Sequence, residues 1–345
     1  MRTNAISTLS LWNAPRTGVA RMQAELARAN EEVVTGRYAD VGLQLGSRTG
    51  QTIGLRQKIA ELAALRDGNG PTAMRLATAQ AALKQIQSAA DDTLKVLNGV
   101  PSNQRAALVK QAASTQLAAM TAALNTSVGG QFVFGGTNTG QPPVSGTAAT
   151  AASASVDAAL MARYGVPQAN LVLGSITGGE MSAFLDNEFA TQFDAAHWSA
   201  GWSSAGSQPL TSRISLTETV PSSASANAEP LRKLAMAYTL ASALDLTKLS
   251  PDAQSVATDR IVGLLGEASG GLIGMQADLG RSEAAITDAN TRLDSQKALI
   301  TTRIGDMEGV DTAETKTRID HLTTQIQISY ALTSQLRQLS LVSYL

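Results

Sequence analysis

The stretch that decides the fold is Leu279-Gly-Arg-Ser-Glu-Ala-Ala-Ile286-Thr-Asp-Ala-Asn-Thr-Arg-Leu293-Asp-Ser-Gln-Lys-Ala-Leu-Ile300-Thr-Thr-Arg-Ile-Gly-Asp-Met307. Leu279, Ile286, Leu293, Ile300 and Met307 fall every seven residues. An apolar residue held at one heptad position over five repeats predicts a long helix with a partner along its seam. Glycines at 305 and 309 loosen its end.

Outward from there the same texture returns. C-terminal to it, a helix is predicted from Asp311 to Leu345, about 50 Å long at 1.5 Å per residue. Ile319, Leu322, Ile326, Leu332, Leu336, Leu339, Val342 and Leu345 recur at helical spacing along it. The apolar stripe reaches Leu345 with no polar tail, which calls for a partner, since unpartnered chain ends fray. N-terminal to the quoted stretch, Ser250-Pro251 reads as cap and first turn, and Glu229-Pro230 as another helix start before Leu231, Leu234, Tyr238, Ala241 and Leu244.

The other end of the chain mirrors this. Val19, Met22, Leu26, Ala29 and Val33 alternate spacings of three and four, a seam on a helix over residues 17–34 closed by Gly36. Tyr38 to Gly50, with three glycines, reads as a linker. Helices are predicted from Leu55 to Leu65, through Leu76, Leu83, Ile86, Ala90, Leu94 and Leu97, and from Asn103 to Asn125. Local rules make Gly68-Asn-Gly-Pro71 a break or kink, and Asn98-Gly99 with Pro101 a stop.

The middle differs. Gly129-Gly-Gln-Phe-Val-Phe-Gly-Gly-Thr137 predicts a short strand with Phe132 and Phe134 on one side. Residues 139–155 read as a loop, and Arg213 to Val220 alternates as a strand. The fold class is mainly α: long terminal helices packed as an antiparallel coiled-coil bundle, with a small mixed α+β insertion. The expected divisions are 1–50, 51–137, 138–225, 226–309 and 310–345.

Composition narrows the functions. The 345 residues carry 27 Lys and Arg against 28 Asp and Glu, with no basic run, which argues against binding nucleic acid through phosphate neutralisation. No cysteine is present, so thiolate chemistry is excluded. Polar residues interrupt any apolar core near the N-terminus, so no cleavable signal is expected. Residues 261–277 are too short and carry Glu267, so no membrane span is expected either. His197 and His321 lack metal-ligand spacing, and no nucleophile elbow or phosphate loop occurs. Asp186 and Glu188 lack the ligand ladder of a calcium loop. Asp91 and Asp92 read as a solvated helix face, and Asn125-Thr-Ser127 matches a glycosylation sequon by chance as readily as by function. No catalytic residue, metal site or cofactor is expected.

Three segments resemble the bacterial flagellin superfamily of axial proteins. Gly129 to Thr137 is similar to the Gly–aromatic–Phe–Gly–Gly–Thr segment that follows the family's N-terminal helices. Met307-Glu-Gly-Val-Asp-Thr-Ala-Glu314 resembles the junction before its last helix. Ser329-Tyr-Ala and Leu339-Ser-Leu-Val-Ser-Tyr-Leu345 resemble the close of the hook-associated branch, whereas flagellin more often stops soon after Leu-Ser-Leu-Leu. The likeness covers residues 1–137 and 226–345. After Thr35-Gly36-Arg37 the chain departs from the family, with Ala39 to Arg48 replacing an Asp-Asp-containing loop. The resemblance implies a helix that continues, kinked, through Pro71. It further implies a secreted structural subunit at the hook–filament junction, passed through the flagellar type III channel. The implied partners are flagellin, the first hook-associated protein, further copies of the chain and an export chaperone. Val19, Met22, Leu26 and Val33, with the stripe from Ile319 to Leu345, are the expected assembly residues. The rival expectations are a filament flagellin, an enzyme sited in the middle segment, and a soluble coiled-coil protein.

Overall fold

A computed structural model describes the backbone of residues 8–342 and the side chains of residues 16–101 and 104–335. The fold is mainly α. Its helices are α1 (Thr8–Thr35), α2 (Val41–Leu45), α3 (Thr49–Asn98), α4 (Ser102–Leu124), α5 (Ala148–Tyr164), α6 (Gly178–Phe184), α7 (Ala195–Gly201), α8 (Glu229–Ala243), α9 (Pro251–Glu308) and α10 (Thr312–Val342). Two antiparallel ribbons complete it, β1 (Ser127–Val128) with β2 (Gln131–Phe132) and β3 (Thr211–Arg213) with β4 (Thr219–Pro221). The chain divides into two compact units, an end unit of residues 1–63 with 294–345 and a central unit of residues 64–293.

In the central unit α3 and α9 run antiparallel. Their side chains meet in order: Asn69 with Asn290, Gln80 with the Gln276 carbonyl, and Asp91 with Ser269. Leu279 and Ile286 of the heptad row are buried here. α4 packs on α8, and α5 on both. The heart of this core is a chain of rings: Tyr164, Phe184, Phe189, Phe193, Trp198 and Trp202. Trp198 and Trp202 stack with centroids 5.2 Å apart. Leu231, Leu234, Tyr238, Ala241 and Leu244 are all buried, as the spacing on α8 predicts.

Several local expectations need correction. α3 runs unbroken through Gly68-Asn-Gly-Pro71, as the family resemblance implies and local rules do not. The buried Asn69 Nδ2 donates to the Ile214 carbonyl at 3.0 Å and to Asn290 Oδ1 at 2.7 Å, anchoring the poor helix-forming stretch from outside. Part of the expected linker after Tyr38 is the short α2, capped by Asp40, and α3 begins already at Thr49. Residues 148–155 belong to α5 and not to a loop. That segment is rich in Ala and Ser, a low-complexity texture, but Ala148, Ala152, Val156, Ala159 and Leu160 form a buried face. Arg213 to Val220 is not one strand: β3 and β4 pair as a hairpin, Ser212 opposite Val220, around a turn where Ser215 Oγ accepts from the Glu218 N–H.

The Phe-Val-Phe segment is also shorter as a strand than its pattern suggests. β2 stops at Phe132, which is half-buried, while Val133 and Phe134 are wholly buried beyond it. Gly129 and Gly130 carry φ of +58° and +78°, the positive pair that a tight β1–β2 turn requires. A Cβ on Gly135 would lie 2.4 Å from the Asn138 carbonyl oxygen, and one on Gly136 2.0 Å from that of Gly206. The motif is glycine there because two other strands of backbone pass against it.

Candidate assembly site

The end unit is built on one helix pair. α1 packs along α10 antiparallel, with Glu32 against Arg318 and Gln23 Nε2 donating to Tyr330 Oη at 3.0 Å. Heptad spacing on both helices closes the seam. Val19, Ala29, Leu322 and Ile326 are buried in it, and Met22, Leu26, Val33 and Ile319 are half-buried. Thr315, Ser329 and Thr333 continue the inward face of α10. Leu332 does not: it is 54% exposed and lies one turn from Ile328, 53% exposed. The side chains of Leu336, Leu339, Val342 and Leu345 lie outside the described residues. The structure therefore brings together seven expected residues, Val19, Met22, Leu26, Val33, Ile319, Leu322 and Ile326, and leaves Leu332 facing outward.

At the base of this pair two turns are stitched together. Gly36, at φ +66°, ends α1. The Tyr38 N–H donates to the Glu308 carbonyl at 3.0 Å, and the Val310 N–H to the Gly36 carbonyl at 3.1 Å. Asp311 caps α10, accepting the Ala313 N–H at 2.8 Å. A Cβ on Gly309 would sit 2.6 Å from the Gly305 carbonyl oxygen, so this crossing needs glycine.

Sequence reasoning missed the charges here. The Glu308 side chain is only 2% exposed, and its Oε2 receives Arg37 at 2.5 Å and Arg56 at 2.7 Å. Glu32 is likewise buried; its Oε1 accepts the Ala39 N–H at 3.2 Å and its Oε2 pairs with Arg318. Charged residues on an amphipathic helix read as solvated, so only their closeness to Gly36 and Gly309 could have marked them.

The candidate chemical residues have other occupations. His197 Nδ1 lies 3.0 Å from Asp194, which caps α7; the His197 backbone N–H holds the Asp194 carboxyl below its ordinary range. Asp186 pairs with Arg260, and Glu188 with Arg163. Asp91 is not on a solvated face: it receives the Ser269 hydroxyl at 2.6 Å on the α3–α9 seam. Asn125 spends its amide on both backbone groups of Val144. Among the described residues no group of three or more acidic or histidine side chains is placed to hold a metal ion. No described helix is long and apolar enough to cross a membrane. A cleft of about 510 Å³ in the central unit is floored by Val220, Ala224, Met275 and Leu279 and rimmed by Asp278 and Arg281, which pair with each other.

Long helices near both ends of one chain thus pair antiparallel and leave Ile328 and Leu332 exposed. The family model for the bacterial flagellin N-terminal helical region matches residues 6–139, and that for the bacterial flagellin C-terminal helical region matches residues 262–345. Together they cover more than half of the chain, which belongs to the bacterial flagellin superfamily. It is a structural flagellar subunit of a family that self-assembles into extracellular polymers. No curated protein matches the sequence.

Proposed function

We propose that this chain is a hook–filament junction subunit of the third hook-associated kind. The observation that carries the reading is Leu339-Ser-Leu-Val-Ser-Tyr-Leu345, whose Ser-Tyr-Leu after Leu-Ser-Leu-Val follows the hook-associated pattern. The α1–α10 pair is the assembly element. Its inner seam fixes one helix on the other, and Ile328 and Leu332 offer an outer row to neighbouring subunits. Leu336, Leu339, Val342 and Leu345, which the spacing of the sequence adds to the stripe, are further candidates for this contact. Each side chain so buried contributes roughly 1.5–3 kcal/mol before ordering costs. Head-to-tail contacts that do not close generate tubes and helical arrays. In this role the chain meets further copies of itself, the first hook-associated protein on one side and flagellin on the other. A chaperone holds α10 before export.

The second reading is a filament flagellin, to which the same family matches apply. Immunogold labelling of isolated flagella with quantification of copies separates the two. Label confined to one site between hook and filament, at about a ring's worth of copies, supports the junction reading. Label along the whole filament, at thousands of copies, overturns it.

A further inference from the structure

The Glu308 cluster is built from residues that gain nothing by burial alone. Removing a carboxylate from water costs several kcal/mol unless cations and hydrogen bonds replace the solvent. Here one oxygen, Oε2 of Glu308, receives both Arg37 from the turn after α1 and Arg56 from the second turn of α3. Glu308 itself is the last residue of α9. A single buried carboxylate thus ties three elements of the end unit.

Glu32 repeats the arrangement one turn away, joining α1 to α10 through Arg318 and to the turn through the Ala39 N–H. Little apolar packing backs these bonds. The described buried apolar side chains of the end unit are Val19, Ala29, Leu322 and Ile326 on the α1–α10 seam, and Leu62 on α3. At the crossing the buried residues are Glu32, Glu308, Thr52 and Thr315. The crossing is held by charge and by the two backbone bonds between Gly36–Tyr38 and Glu308–Val310.

We propose that Glu308, Arg37 and Arg56 form a conformational latch. Closed, it holds residues 36–48 and the α9–α10 turn in one arrangement and so sets the direction in which α1 and α10 leave the crossing. Open, it frees that turn while the α1–α10 seam stays zipped. Such a latch lets one helix pair adopt more than one departure direction, whichever flagellar position the chain occupies. Glu308 is the desolvated charge, and the half-exposed Arg37 and Arg56 share its one oxygen, so the three are energetically coupled.

The test is hydrogen exchange by mass spectrometry on the full chain. Glu308→Gln is expected to speed exchange of amides in 36–48 and 309–315 by about tenfold or more, with amides of 64–293 exchanging as in wild type. Arg37→Gln is expected to reproduce this, and the double variant Glu308→Gln/Arg37→Gln to add little to either. Unchanged exchange in 36–48 overturns the latch. So does loss of protection that spreads through 64–293, or additive effects in the double variant.

Discussion

The central unit and the end unit bury different things. The central unit wraps Trp198, Tyr238, Phe134, Phe184, Phe189 and Met181 in one continuous apolar core. The end unit buries single-file small and medium residues along one seam, and beside them two carboxylates. A continuous core stabilises its own fold. A one-seam helix pair buries little and leaves Ile328 and Leu332 in solvent. On the proposed function, the central unit folds on its own core, and the end unit holds its exposed apolar surface for neighbouring subunits.

The largest loss of stability is expected from opening the central core. Trp198 is fully buried against Trp202 and Phe193. Trp198→Ala is expected to cost about 3–5 kcal/mol and lower the main unfolding transition followed by circular dichroism. A loss under about 1 kcal/mol would mean that the ring chain is not what holds the unit.

A pH titration probes the same core more gently. Burial pushes the Tyr238 phenol up to about 12, outweighing the opposing effect of the Thr93 hydroxyl beside it. The unfolded chain ionises near its ordinary value of ~10, so above that pH the unfolded state binds fewer protons than the folded one. The resulting stability is fully present below pH ~10 and is lost, on the order of 2–3 kcal/mol, as pH rises toward 12. Urea melts at pH 9 and 11.5 should show that loss in wild type and a smaller one in Tyr238→Phe. Equal losses in both would contradict the assignment.

Neighbouring glycines on α9 sharpen the picture at finer scale. A Cβ on Gly270 would meet nothing within 4 Å, whereas one on Gly271 would lie 2.4 Å from Pro230 Cγ. Gly270→Ala is therefore expected to stabilise by about 0.5–1 kcal/mol, and Gly271→Ala to destabilise by about 1–3 kcal/mol. Effects of the same sign in thermal melts would show that α8 does not start where the structure places it.

The fold was legible wherever apolar residues kept a strict period. The heptad row of α9 and the α8 spacing identified long helices, and their residues inside the central unit are buried. The row fades at Ile300 and Met307, which are half-buried, because the end unit offers them less to pack against. α5 was illegible because alanine and serine carry a weak apolar signal, although Ala152 and Ala159 are buried against larger neighbours. On α10, periodicity placed Leu332 in the same stripe as Ile326, but the two point different ways once α1 selects the inward face. The latch was illegible because a pattern of charges does not say which of them will be desolvated. Glu32 and Glu308 look no different in sequence from Glu31 and Glu314, which are exposed.

The most direct test of the division between folding and assembling parts is Leu332→Asp. The residue is 54% exposed and faces away from α1, so the isolated chain should keep its stability to within about 0.5 kcal/mol. Incorporation into flagella, scored by quantitative labelling of isolated filaments from a strain carrying only the variant, should be abolished. Wild-type incorporation of Leu332→Asp would contradict the account.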